Sequence, residues 1–309
     1  MYKFKNIVLT TDLSPNADAA VPYAVALAKQ SGGTIHLFHA SDSEASAAFV
    51  SGIIIGVSAW MASIREQRSE KLSQLADRLA AKSAVNVISA CVSGNPAIEA
   101  VKFAKKVHAD LIVISTHGRR GVSHLFLGSV AEKVLQLSPV PVLTVRPGET
   151  VPDELKFTTI LVPTDFSENA EAAMPFAIEL AKQHGAKLIL AYVLDDSTFS
   201  EDLMWSTGSL DIVRSMETIK AQFQLKLTAA AEALRSKSDL AVTSVFKCGR
   251  PHEMLCNTAK EYKADLVVMS THGYTGLSHL AYGSVAERVL RSCPVPMLSI
   301  RPNTHATVK

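Results

Sequence analysis

The 309-residue sequence predicts an α/β protein of two tandem, Rossmann-like, doubly wound domains, each with a five-stranded parallel sheet. Three observations predict it. A long motif occurs twice, as Ser115-Thr-His-Gly-Arg-Arg-Gly-Val-Ser-His-Leu-Phe-Leu-Gly-Ser-Val-Ala-Glu132 and as Ser270-Thr-His-Gly-Tyr-Thr-Gly-Leu-Ser-His-Leu-Ala-Tyr-Gly-Ser-Val-Ala-Glu287. Before each copy lies an apolar, β-branched run, Leu111 to Ile114 and Leu266 to Met269, of the kind that forms a strand buried on both faces. Strand-like and helix-like segments alternate through both halves, which is the order that builds a parallel sheet with helices on its faces. The halves are set at residues 1–148 and 155–309, with Pro147 to Glu154 as the linker.

The elements of the two halves match in order. Asn6 to Asp12 and Thr159 to Asp165 are first strands, each followed by a helix start at Ser14-Pro15 or Ser167-Glu168. The helices that follow, Ala17 to Gln30 and Ala170 to Gln183, carry Pro22 and Pro175 at the same internal place, where a lost hydrogen bond is expected to kink them. Glycines end these helices (Gly32-Gly33, Gly185) and lead to second strands, Thr34 to Ala40 and Lys187 to Val193. The halves then diverge. Ser43 to Met61 and Asp195 to Met216 are too short to span a membrane and too apolar for free loops, and read as core packing, a subunit contact or a lid.

Helices near Ile64 to Lys82 and Val213 to Lys237 lead to third strands at Val85 to Cys91 and Ala241 to Phe246. Gly94-Asn-Pro96 and Gly249-Arg-Pro251 put a proline at the first position of the next helices, Ala97 to His108 and Glu253 to Tyr262. After the repeated motif come fifth strands, Val140 to Val145 and Val295 to Ile300, opened by prolines that suit a sheet edge. Edges this apolar invite aggregation unless paired, so the two halves are expected to pack through their fifth strands about a pseudo-twofold axis, with a homo-oligomer of chains built on other surfaces.

Composition narrows the function. With 48% hydrophobic and 19% charged residues the chain is a folded globular protein, and a formal net charge of +2 without a basic stripe argues against nucleic acid as partner. Cys91, Cys248, Cys256 and Cys293 do not repeat between the halves and show no disulfide framework, which fits a reducing compartment. No signal segment opens the sequence and no run of about 18 apolar residues occurs, so a cytoplasmic protein with no membrane partner is expected.

The repeated motif carries the chemistry. A strand, a glycine-bearing loop and a helix start in succession form a phosphate site, because glycine lets backbone approach an anion and the first helical N–H groups point at it. Gly128-Ser129-Val130 and Gly283-Ser284-Val285 open those helices, with Ser129 or Ser284 expected as N-cap and Glu132 or Glu287 completing a capping box. An ordinary capping box is also a sufficient reason for Ser-x-x-Glu. Ligands in such sheets lie outside the carboxyl ends of the strands at the switch point, where Asp12 and Asp165 also fall.

The Thr-Asp ending of the first strand and the Gly-x2-Gly-x9-Gly-Ser/Thr pattern resemble the universal stress protein family in its tandem form, over nearly all of both halves. The resemblance implies an adenine nucleotide, ATP or else AMP or ADP, with or without Mg2+. It implies that Asp12 and Asp165 meet adenine and that the backbone at Ala40 and Val193 touches the base. It places Ser115, His117, Gly118, Gly128, Ser129 and Val130 about the ribose and phosphates in the first half, and Ser270, His272, Gly273, Gly283, Ser284 and Val285 in the second. In each half the pattern's first glycine is replaced, by Ser115 or Ser270, which adds a Cβ and a hydroxyl. A serine at negative φ is tolerated and can donate a hydrogen bond.

No Walker loop is present, so dedicated nucleotide hydrolysis has no support. A binding module for stress response or signalling is the main reading; a slow ATPase or phosphotransferase using His117 and the Arg119-Arg120 pair is the enzyme alternative, and a nucleotide-free scaffold is cued by the two serines. The repeated His117/His272 and His124/His279 lack a repeated carboxylate or thiol partner and read as loop braces in preference to metal ligands. Cys248, His252 and Cys256 could share a zinc, but helix packing is the better account of them.

Overall fold

The computed structural model describes residues 3–41, 57–116, 127–148, 155–195, 210–271 and 283–302, with backbone alone for 57–61 and 210–215. The chain divides between Leu155 and Lys156 into two compact units. In the first, β1 (Asn6–Thr10) leads through a 3-10 turn (Ala17–Ala20) to α1 (Val21–Ser31) and β2 (Thr34–Ser41). Helix α2 (Val57–Ser83), β3 (Asn86–Ser93), α3 (Pro96–Lys106), β4 (Leu111–Ser115), α4 (Ser129–Leu137) and β5 (Val142–Val145) follow. The strands run parallel in the order β3-β2-β1-β4-β5.

The second unit repeats the plan. It comprises β6 (Thr159–Pro163), the short α5 (Glu168–Glu171), α6 (Met174–His184), β7 (Lys187–Leu194), α7 (Leu210–Ser238), β8 (Val242–Cys248), α8 (Pro251–Glu261), β9 (Leu266–Ser270), α9 (Ser284–Ser292) and β10 (Met297–Ile300). Its parallel order is β8-β7-β6-β9-β10. Each unit is therefore a doubly wound Rossmann-like sheet of five parallel strands. The chain reverses its direction of travel across the sheet between β1 and β4, and again between β6 and β9, which opens a crevice beyond their carboxyl ends.

The central strands are buried as their composition requires. Every residue of β4 and β9 is buried, and Ile7, Val8, Leu9, Ile35, Leu37, Ile112 and Val113 are at most 1% exposed. At the amino ends of these strands an aspartate ties two of them together. Asp110 Oδ2 accepts the Lys5 and Asn6 N–H groups at 2.8 Å each, and Asp265 Oδ2 accepts those of Thr158 and Thr159 at 2.6 and 2.9 Å. The fixed end of each sheet is thus opposite the crevice.

Two expectations change. Pro22 and Pro175 do not kink a continuous helix: in each unit a short helical turn stops and a new helix begins at Val21 or Met174, with proline in its first turn. There the missing N–H has no helical acceptor to lose. The long helices also start earlier than the pattern suggested, at Val57 and Leu210, so the ends of the two divergent apolar segments are helical. The remainder of those segments lies outside the described residues. The fifth strands begin after their prolines, at Val142 and Met297, since proline cannot donate to the ladder.

Candidate functional site

At the carboxyl end of β4 the backbone makes a pinch. Thr116 N–H donates to Val145 O on β5 at 2.8 Å, and Thr116 O accepts the Gly128 N–H at 2.7 Å. A Cβ on Gly128 would lie 2.9 Å from that same Thr116 oxygen, so close approach of backbone, at an ordinary φ of −62°, is what requires glycine here. The second unit repeats it: Thr271 N–H donates to Ile300 O at 2.8 Å, and Gly283 N–H to Thr271 O at 2.7 Å. The residues between the two ends of each pinch, including His117, Gly118, His272 and Gly273, lie outside the described residues. So do His124, His279, Arg119 and Arg120.

The pinch sets the helix start. Gly128 and Gly283 are the N-caps, Ser129 and Ser284 are the first helical residues, and neither helix has a side-chain cap. The expected capping box is therefore wrong by one residue. Its physical reason is the tie to Thr116 or Thr271, which places extended backbone at the glycine and moves the serine into the helix. Glu132 and Glu287 N–H groups already close the first turn onto Gly128 and Gly283 carbonyls at 3.0 and 2.9 Å. The N–H groups of the three residues before each, Ser129 to Ala131 and Ser284 to Ala286, have no intrahelical acceptor and face the crevice end with the positive pole of the helix.

Ser115 and Ser270 close β4 and β9, buried at 9% and 7% exposure and in register with Val145 and Ile300. Neither has positive φ, so serine costs no backbone strain in the place of the family's glycine.

The turn after the first strand is built the same way twice. Leu13 N–H donates to Thr11 Oγ1 and Ser14 N–H to Asp12 Oδ1, each at 3.0 Å; Phe166 N–H donates to Thr164 Oγ1 and Ser167 N–H to Asp165 Oδ1, also at 3.0 Å. Ser167 Oγ adds a 2.5 Å bond to Asp165 Oδ1. Leu13 and Phe166 adopt φ of 60° and 61°, where bulky side chains are rarely found. The hydroxyl and carboxylate bonds on both sides hold that conformation, and they orient the aspartate.

In the second unit these parts meet in a cleft of about 240 Å3. Of the residues expected there, Asp165, Val193, Ser270, Gly283, Ser284 and Val285 all line it. Thr164, Ala170, Ala191, Pro251, Leu255, Met269, Thr271 and Ala286 line it too, and sequence reading did not assign them. The period of two along a strand could have added Ala191 to Val193, and the repeated Gly-x-Pro before α8 could have added Pro251. Leu255 and Met269 carried no local signal. Tyr192, between Ala191 and Val193, belongs to the other face, and its hydroxyl is pushed above the usual phenol range by burial and then by the Asp165 charge. In the first unit Asp12, Ala40, Ser115, Gly128, Ser129 and Val130 hold the matching places at the ends of β1, β2 and β4 and the start of α4.

Among the described residues no group of three His, Cys, Asp or Glu side chains is placed to hold a metal, and no helix is long and apolar enough to cross a membrane. Cys256 is buried on α8 with its Sγ 3.3 Å from Ser292 Oγ on α9, and His252 Nε2 lies 3.9 Å from Glu253.

The Universal stress protein family model matches residues 3–146 and again residues 156–301. Over 323 aligned residues the chain is 26% identical to universal stress protein Slr1230 of Synechocystis sp. (strain PCC 6803), covering 96% of this chain and 100% of that one. Universal stress protein MJ0577 of Methanocaldococcus jannaschii is 28% identical over 154 residues, 47% of this chain and 95% of its own. The crystal structure of a universal stress protein from Archaeoglobus fulgidus shares the fold, with a TM-score of 0.72 at 24% identity and 97% coverage of both chains.

Proposed function

The chain belongs to the universal stress protein family, and on that premise we propose that it is an adenine-nucleotide-binding module of the stress response, with ATP as the favoured ligand. The observation that carries this reading is the second unit's cleft, in which Asp165 and the uncapped start of α9 open onto the same space. Asp165 offers a carboxylate to an exocyclic amine, and Ala191, Val193, Leu255 and Met269 supply apolar walls for a flat base. A cleft of about 240 Å3 is below the roughly 300–1,000 Å3 of sites that enclose a whole drug-sized ligand, so it suits a base and sugar. The phosphates then lie at the N–H groups of Ser284 to Ala286, where the helix dipole favours negative charge by about 0.3–2 kcal/mol. Mg2+ would arrive on the phosphates. AMP and ADP fit the same base and sugar contacts and forgo part of the phosphate contribution. No general base or nucleophile is assigned, because the described cleft residues form no such set.

Calorimetric titration of the full chain with ATP and Mg2+ tests this. Binding at sub-millimolar ATP is expected, weakened about tenfold or more by Asp165→Ala, the scale of one lost charge-assisted contact. A folded protein that gives no heat at sub-millimolar ATP would overturn the reading.

A further inference from the structure

Among the described residues the most exposed large apolar side chain is Leu225, at 72%, in the middle of α7 of the second unit. Ala221 and Ala229, one turn before it and one turn after, are exposed on the same side of the helix, beside the neutral Thr218 and Gln222. The opposite side packs on β7 and β8 and buries Leu227 and Ala231.

A single surface leucine is ordinary, but the repeat supplies a control for this one. Helices α2 and α7 hold the same place in the two units, and they keep step when counted back from their ends at Ser83 and Ser238. On that count Leu225 stands where the first unit has Glu70, Ala221 where it has Glu66, and Ala229 where it has Gln74. All three of those are exposed, and Gln74 Nε2 donates to Glu70 Oε1 at 3.3 Å along a solvated face. The fold therefore makes no apolar demand at these positions, and the uncharged face of α7 calls for a partner outside the unit.

Charge identifies that partner. Glu217 and Arg235 are eighteen residues apart, about five full turns, so they share one flank of α7 with Leu225 near the midpoint between them. Both are exposed, and Arg235 donates from Nε to Val242 O at 2.7 Å, which anchors its guanidinium at the helix edge. An acid at one end of a flank and a base at the other complement a second copy of the same helix run in the opposite direction.

We propose that this face of α7 joins two copies of the chain, with the α7 helices antiparallel across a twofold axis near Leu225. The contact is isologous: each Leu225 meets the other, each Ala221 meets the other copy's Ala229, and each Glu217 meets the other copy's Arg235. Glu232, the one charge on the face itself, falls opposite the other copy's Thr218 hydroxyl. The alanines let the helices approach, and the rim pairs set direction more than strength. A face this small buries less than the roughly 1,200–2,000 Å2 of a standard stable interface, so the dimer is weak, with Kd on the order of 100 μM.

Sedimentation equilibrium of the full chain, from about 10 μM to about 1 mM, brackets that value. A reversible monomer–dimer equilibrium is expected. Leu225→Glu copies the first unit's residue, leaves folding intact and should weaken the dimer tenfold or more; Glu217→Arg should weaken it about threefold to tenfold, and adding Arg235→Glu to it should restore the parent's Kd. Thermal unfolding confirms that each variant is folded. A chain that stays monomeric throughout, a dimer that Leu225→Glu leaves unchanged, or a folded double variant that does not recover overturns the proposal. Leu225→Cys checks the axis without any change of charge: mild oxidation should join two copies through a disulfide at that position, read by peptide mass mapping, and its absence in a dimeric sample counts against the contact.

Discussion

The two units make the same backbone bonds at the pinch and the same turn bonds after the first strand, and they differ on the sheet face behind. Both tie a glycine N–H to a threonine carbonyl at 2.7 Å, and both hold a bulky residue at φ near 60° after the aspartate. Behind that frame the second unit runs a column of rings. Phe166 stacks on Tyr192 at 5.1 Å, Tyr192 on Phe223 at 4.7 Å, Phe246 follows at 5.9 Å from Tyr192, and Lys226 Nζ sits 4.2 Å from the Phe166 centroid. The first unit has Leu13, His39, Arg68 and Cys91 in those places. Backbone bonds that fix a strand end against a helix start admit few substitutes, whereas the packing of one sheet face against a long helix can be met by rings or by a polar cluster. What was kept twice is the frame, and what was free to change is the fill.

The largest expected effect tests that division. Tyr192→Ala removes the ring at the centre of the column and should destabilise the second unit by about 3–5 kcal/mol, as truncation of a buried aromatic does. Arg68→Ala, its neighbour's counterpart across the repeat, should change the first unit by less, about 1 kcal/mol, because the side chain is half-exposed and no buried ring is removed. Urea unfolding with hydrogen exchange to separate the units measures both; equal losses would mean that the polar cluster packs as firmly as the rings.

Much of the frame was legible because it repeats. Two copies of Thr-Asp, of Gly-x-Pro and of Gly-Ser-Val-Ala-Glu place strand ends and helix starts by position alone, and the strand alternation gives the parallel order. The ring column was not legible: Phe223 is one residue in a 29-residue helix of low mean hydropathy, and only the register of β7 with β8 brings Tyr192 and Phe246 together. The capping box misled because Ser-x-x-Glu looks the same whether serine is the cap or the first helical residue. A backbone bond made twelve residues upstream, at Thr116, decides between them. Pro22 misled in the same way, since a first-turn proline and an internal one differ only by where the preceding turn stops.

A smaller effect should be equal in the two units. Gly128→Ala drives a Cβ to 2.9 Å from Thr116 O, and Gly283, tied to Thr271 O by the same 2.7 Å bond, is expected to respond alike when changed to alanine. Each substitution should cost about 1–3 kcal/mol, the range for overpacking that backbone must relieve. It should also loosen the approach to the helix start. Thermal unfolding of both variants checks it. If one is tolerated and the other is not, the frame is shared in outline only.

The smallest effect separates the units by a proton. His36 in the first and His184 in the second are buried, and burial holds both imidazoles below the usual histidine range; near His184 the Lys156 charge adds to it. In the unfolded chain each titrates at about 6.5. Above that pH neither state binds the proton and stability is unaffected. As pH falls below it, the unfolded chain takes up protons that the folded chain refuses, so stability declines with falling pH until the folded values are reached. The two residues differ in what protonation breaks. His184 Nδ1 accepts the Phe157 N–H at 3.2 Å, and a proton there abolishes the acceptor and sets two donors face to face. His36 Nε2 pairs with Asn6 Oδ1 at 3.4 Å, a bond that the imidazole can donate in either charge state. Between about pH 7 and about pH 5, His184→Gln should therefore flatten the stability slope more than His36→Gln does. Urea midpoints at the two pH values read this directly, and an equal flattening would show that desolvation alone, without the Phe157 bond, governs both sites.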